Sequence, residues 1–194
     1  MTSEVYIRKI ARRILFENSL SPTLEPLKKT DIDAVMQVCD KAFSEFRVIG
    51  LETKCSTGQM HGKFHSLANW DKSAKLVLNG EIIGFVIVSD KETIDNFLEA
   101  AKRYGYNIKI DADKLKAIAG KKGIEIMSIG VLPEYRGAGY GKMLFDFPKS
   151  LGADYIWSIQ MNGVSNMAKW ASKGPVVVSG KAMGQEFYVT IQAS

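Results

Sequence analysis

The chain has 194 residues, 46% of them hydrophobic, and a formal net charge of +5 at pH 7. There is enough apolar material to bury a core, which excludes extended disorder and fits one domain. No apolar run approaches the roughly 20 residues of a membrane span. The excess charge is spread along the chain and comes with no nucleic-acid motif, so no DNA-binding role is expected. Ser3 to Glu17 reads as an amphipathic helix, with Ile7, Ile10, Ile14 and Leu15 on one face. Residues 1–20 are therefore read as a helix appended to the domain, docked on it or on a second subunit in a homodimer. A membrane surface is the alternative for such a basic helix.

Residues 21–194 are read as a single domain. A short strand is expected from Thr23 to Lys28, and then a helix capped by Thr30 or Asp31, with Ile32, Val35, Met36, Cys39 and Phe43 at helical spacing. Residues 50–73 predict a loop or short helices. Ala74 to Leu78 and Glu81 to Ser89 flank Asn79-Gly80, a strong two-residue hairpin signal. Residues 90–122 form a charged helical insert, with one helix from Thr93 to Tyr104 and another from Asp111 to Ala119. Gly105 and Gly120 stop them. A strand from Ile124 to Val131, a helix from Gly139 to Leu151 bent or ended by Pro148, and a strand from Asp154 to Met161 follow. A short helix from Val164 to Ser172 comes next, and strands at Val176 to Ser179 and Glu186 to Ile191 close the chain. This order predicts an α/β (α+β) fold with a mixed sheet and helices on both faces.

The segment that carries chemistry is Ser128-Ile-Gly-Val-Leu-Pro-Glu-Tyr-Arg-Gly-Ala-Gly-Tyr-Gly-Lys142, where a strand gives way to a helix. Gly137, Gly139 and Gly141 let backbone N–H groups approach a ligand without a Cβ in the way. Those groups sit at a helix N-terminus, which favours phosphate, and Arg136 and Lys142 are placed to add charge. The spacing is neither a P-loop, since Met143 follows Gly141-Lys142, nor the dinucleotide fingerprint. Chemistry alone therefore predicts an anion site and leaves the ligand open.

Arg136-Gly-Ala-Gly139-Tyr-Gly141 resembles the Arg/Gln-x-x-Gly-x-Gly/Ala pyrophosphate motif of the GNAT superfamily of N-acetyltransferases, and Ile129-Gly-Val-Leu-Pro-Glu-Tyr135 resembles the strand and loop before it. The resemblance is strong over residues 123–151 and moderate over 22–47, 74–89 and 154–192. Residues 1–20 and 90–122 lie outside the pattern. It implies the GNAT fold, with a mostly antiparallel sheet, and acetyl-CoA as donor to an amine acceptor. By position, Arg136, Gly137, Ala138, Gly139, Tyr140, Gly141 and Lys142 would hold the pyrophosphate. Ile129, Gly130 and Val131 would pair with the pantetheine arm where the strand splays from its neighbour, and Asn162 would touch the cofactor.

Direct transfer to an amine requires a proton acceptor, since amines are protonated near pH 7. Glu125 resembles the general-base glutamate of the histone acetyltransferase branch, and apolar Ile124 and Ile126 flank it. The family's tyrosine acid falls on Trp170, an indole that is no useful acid, and its usual Gly-Phe is Gly174-Pro175. Ser165 and Tyr188 are the remaining candidates. This departure keeps a second reading open, a non-catalytic module that binds acyl-CoA or a protein partner. His61 and His65 lack the glutamate of His-Glu-x-x-His, so no metal is expected; by resemblance they and Trp70 would line the acceptor site. The two cysteines, Cys39 and Cys55, fit thiols in a reducing cytoplasm.

Overall fold

A computed structural model describes residues 21–44, 55, 59–90, 93–161, 174–182 and 185–193. Among the described residues, eight strands form one sheet in the order β1-β2-β3-β5-β6-β8-β7-β4. They are β1 (Thr23–Pro26), β2 (Ala74–Leu78), β3 (Glu81–Ser89), β4 (Asn107–Ile110), β5 (Gly123–Val131), β6 (Tyr155–Met161), β7 (Val176–Ala182) and β8 (Gln185–Ala193). The helices are α1 (Ile32–Phe43), α2 (Gln59–Leu67), α3 (Ile94–Arg103), α4 (Ala112–Ile118) and α5 (Tyr140–Asp146). Every strand pair is antiparallel except β5 with β6, the expected strand–helix–strand crossover.

The β2–β3 hairpin turns where expected. Asn79 and Gly80 both adopt positive φ, 52° and 81°, as a type I′ turn needs. The Thr93 hydroxyl accepts from the Asn96 N–H and starts α3, and the Asp111 carboxylate accepts from the Lys114 N–H and starts α4. At α1 the cap differs from expectation. A 3-10 turn, Lys29–Asp31, leads into the helix, and the Asp31 carboxylate caps nothing there. It accepts instead from the Lys28 N–H at 2.9 Å and from Lys75 Nζ at 2.8 Å, which ties the turn to β2. The expected helix over 139–151 is α5 followed by a 3-10 turn, Phe147–Leu151, because Pro148 cannot continue an α-helical ladder.

The expected helical insert contains a strand. β4 runs to the far edge of the sheet and pairs with β7, Ile108 lying opposite Gly180. Gly180 makes this possible, since a Cβ there would stand 2.7 Å from the Asn107 carbonyl oxygen. The helices that flank β4 cover one face of β6, β7 and β8. Ile94, Leu98 and Ile118 join Tyr155, Trp157, Val177, Phe187 and Val189 in one buried cluster. A second cluster lies around β1, β2, β3 and β5, with Val35, Met36 and Cys39 from α1 and Leu144 and Phe145 from α5. α1 and α5 lie on opposite faces. Gly130 faces α1, where a Cβ would meet the Ala42 Cβ at 3.2 Å, and Gly84 faces α5, where one would meet Leu144 Cδ1 at 3.1 Å.

Cys39 and Cys55 are joined in a disulfide rather than held as thiols, a further departure from expectation. It ties the inner face of α1 to the chain just ahead of α2, and both residues are buried.

At the other end of β3, Asp90 accepts hydrogen bonds from Lys72 Nζ at 2.5 Å and Asn69 Nδ2 at 2.9 Å. The Lys72 bond first, and the Asn69 bond second, hold the Asp90 carboxyl below the usual carboxylate range. A depressed folded-state pKa stabilises the fold above the unfolded value near 3.8, and that contribution disappears as pH falls through the folded value. Asp90→Asn is therefore expected to cost about 1 kcal/mol or less at pH 7, the pair being part-exposed. It should also shrink the difference in melting temperature between pH 7 and pH 3. Thermal melts of both proteins at the two pH values check this.

Candidate active site

β5 and β6 run parallel for three residues and then part. Gly123, Ile124 and Glu125 pair with Tyr155, Ile156 and Trp157. Beyond them β5 continues to Val131 alongside β3, and β6 continues to Met161 alongside β8. The result is a cleft that widens from Glu125 toward the strand ends. Its cause is local. The β3–β5 register slips between Ile87 and Val88, which leaves Met127 as an extra residue on β5. A bulge of this kind bends its strand and increases its twist.

The glycine-rich turn closes the mouth of this cleft. A 3-10 turn, Pro133–Tyr135, carries the chain from β5 to Arg136, and α5 begins after Gly139. Gly137 and Gly139 adopt φ of 87° and 88°, which explains two of the three glycines by conformation. Gly141 has no such need, and a Cβ there would meet nothing within 4 Å. Neither backbone strain nor internal packing requires its missing side chain. The first N–H groups of α5 lack intrahelical partners and carry the positive end of its dipole. Tyr140 lies partly buried beside Tyr135, and burial first, then that neighbour, pushes its hydroxyl pKa up.

The two cations expected at the turn are engaged elsewhere. Lys142 Nζ pairs with Asp146 one turn down α5, and Lys149 Nζ reaches the same carboxylate at 3.1 Å. Arg136 donates to two main-chain carbonyls, those of Val131 and Ala42. Ile129, Gly130 and Val131 occupy the β5 side of the cleft. Asn162, Ser165 and Trp170 lie outside the described residues.

Glu125 sits at the apex of the cleft, the last β5 residue paired with β6, and is only 2% exposed. Its neighbour Ile126 lines a small cavity with Phe145 and Ile156, so strand alternation turns Glu125 to the opposite face, beside Trp157. Tyr188 is not brought to it. Tyr188 lies opposite Gln160, three residues along β6 from Trp157, and so faces the other side of the sheet. Its hydroxyl donates to the Glu186 carboxylate at 3.3 Å, and that charge first, then burial, raises its pKa, which weakens it as an acid.

Two cleft residues escaped the sequence reading. Ser158 and Gln160 stand on β6 just past the parting point, and Gln160 Nε2 donates to Thr190 Oγ1 at 2.8 Å. Their signal was present, since they alternate with Trp157 and Ile159 as a polar stripe on an otherwise apolar strand. On α2 and the 3-10 turn after it, the rings of His65 and Trp70 meet edge-on at 6.3 Å. The side chain of His61 lies outside the described residues.

Residues 45–147 match the model of the acetyltransferase (GNAT) family. The chain belongs to that family and is an acyltransferase with acetyl-CoA as its donor. No curated protein matches it. Among solved structures it is similar to Arabidopsis thaliana Naa50 in complex with the bisubstrate analogue CoA-Ac-MVNAL, at a TM-score of 0.58 and 12% identity, covering 90% of this chain and 100% of that one. Drosophila melanogaster polyamine N-acetyltransferase gives a TM-score of 0.60 at 10% identity, covering 89% and 100% of the two chains. The ribosomal-protein-S18-alanine N-acetyltransferase of Escherichia coli gives 0.54 at 14% identity, covering 89% and 93%. At such identities the likeness shows a common fold.

Proposed function

We propose that this protein transfers an acetyl group from acetyl-CoA directly to a primary amine bound beside the cleft. The observation that carries the reading is Gly141, whose missing side chain serves no internal need at the mouth of a cleft between parted strands. In this reading the turn from Arg136 to Lys142 binds the pyrophosphate through its backbone amides. The β5 edge from Ile129 to Val131 aligns the pantetheine arm, and Asn162 adds a contact to it. Acetyl-CoA supplies the thioester. Glu125 takes a proton from the acceptor ammonium, directly or through water. The new nitrogen–carbon bond replaces the carbon–sulfur bond, and a backbone N–H of the β5 edge steadies the carbonyl oxygen. The second proton of that nitrogen passes to the departing thiolate through water or through the Ser165 hydroxyl, which accepts one proton as it gives up another; Tyr188, on the other face of the sheet, does not supply it.

The acceptor's identity is the finer part of the proposal, and the polyamine and ribosomal-protein-S18-alanine N-acetyltransferases among the similar structures suggest the first compounds to screen. A homodimer is the proposed assembly, checked by light scattering. A cytoplasmic setting fits the donor, and the Cys39–Cys55 bridge weighs against it, because disulfides persist mainly in oxidising compartments. The rival reading, a module that binds acyl-CoA without transfer, draws on the placement of Tyr188 away from Glu125.

Calorimetric titration with acetyl-CoA tests the site. The wild type is expected to bind in the micromolar range. Gly139→Asp, which sets a carboxylate beside the phosphates, should weaken binding at least tenfold, about 1.4 kcal/mol or more. No binding by the wild type would end the reading. Binding without thiol release across the amine screen would favour the rival.

A further inference from the structure

Arg136 opens the motif, and a cation in a phosphate-binding turn is ordinarily taken as a partner for the phosphates. Its observed bonds give it other work. Nε donates to the carbonyl of Val131, the last residue of β5, at 3.2 Å. Nη2 donates to the carbonyl of Ala42, in the last turn of α1, 94 positions away in sequence. The last four carbonyls of a helix have no intrahelical partner, and a cation beside them also meets the negative end of the dipole. Arg136 therefore caps α1 from a distance. The same side chain fastens the end of β5, whose edge faces the cleft. α1 and β5 are already pressed together at this point, where Gly130 leaves room for Ala42. The backbone of Arg136 itself begins the turn, its N–H bonded to the Pro133 carbonyl at 3.2 Å. One half-buried side chain thus joins three elements that meet at the cofactor turn.

We propose that Arg136 is a positioning residue, which sets the turn's amides before the ligand arrives by tying β5 to the C-terminus of α1, and that it supplies no charge to the phosphates. A planar guanidinium suits this task because its donors diverge toward two separate carbonyls. A lysine ammonium concentrates its donors on one nitrogen and cannot span both. The inference rests on the reading of the turn as the acetyl-CoA site, but half of its test does not.

The test compares wild type, Arg136→Lys and Arg136→Gln. The first measurement is amide hydrogen exchange without ligand. Exchange is expected to quicken in both variants over 41–44 and at the hydrogen-bonded amides of the turn, those of Tyr135, Arg136, Lys142 and Met143, together, while the distant β2–β3 hairpin keeps its wild-type rates. The second is acetyl-CoA affinity at low and high salt. Both variants should bind about tenfold more weakly, by the same factor at either ionic strength, because the loss is of geometry and not of a screened charge pair. The KM for acetyl-CoA should rise while kcat at saturation holds, a split that a residue needed only for stability would not produce. Three results would overturn the proposal: ligand-free exchange unchanged in both variants, Arg136→Lys binding like wild type, or a defect of Arg136→Gln that fades in high salt. If the wild type itself fails to bind acetyl-CoA, the functional reading falls and the exchange measurement alone still decides the role of Arg136.

Discussion

Glu125→Gln is expected to lower turnover by about two to four orders of magnitude at pH 7, the usual worth of a positioned general base, with acetyl-CoA affinity changed less than about twofold. The argument is one of place. Glu125 is the last residue of β5 to pair with β6, so its carboxyl stands where the cleft closes and far from the turn at the cleft's mouth. Ser89 on β3 and Trp157 on β6 flank it in the sheet. A carboxyl 2% exposed on a central strand is costly to keep in a charged form, which is the setting in which proteins tune acids and bases toward neutrality. Glutamine keeps the size and the carbonyl of the side chain and removes its basicity. The measurement is thiol release at pH 7 by both proteins, with the amine found in the acceptor screen. Unchanged turnover would remove Glu125 from the mechanism and leave the proton to water.

What was legible in the sequence was local. Asn79-Gly80 fixes a hairpin through two positive φ angles, and Thr93 and Asp111 start their helices through side-chain bonds reaching three residues ahead. The turn from Arg136 to Gly141 is legible for the same reason, as the work of glycine is written into a few consecutive positions. What was missed depends on partners distant in sequence. β4 is four residues long and mostly exposed, so its alternation is too brief to read. The room that Gly180 leaves for it on β7 shows its purpose only when Asn107 is seen lying against that glycine. The slip at Met127 that opens the cleft is a matter of register against β3 and has no signature in β5 itself. Arg136 looks like a phosphate ligand in sequence because Ala42 lies on an element far up the chain. Asp31 looks like a cap because Lys75 is not yet beside it.

The Cys39–Cys55 bridge belongs to the same class, and its removal should have the largest effect on stability. It closes a loop of 16 positions, and a crosslink of that span is worth about 3 kcal/mol through the unfolded chain it restrains. For a chain of this size that corresponds to a fall in melting temperature of roughly 6–12 °C. The cleanest comparison keeps the sequence constant and melts the wild type oxidised and fully reduced. Cys39→Ala with Cys55→Ala should melt near the reduced protein and be indifferent to reductant. Cys39 is fully buried and Cys55 nearly so, so mild reductant should act slowly on the folded protein and faster once it is partly unfolded. Identical melting of the two wild-type forms would show that α1 and its inner face hold Cys55 in place unaided. Two titratable thiols in the protein freshly isolated under conditions that block exchange would show that the bridge is absent where the protein works, and would return the weight of evidence to the reducing compartment that two cysteines first suggested.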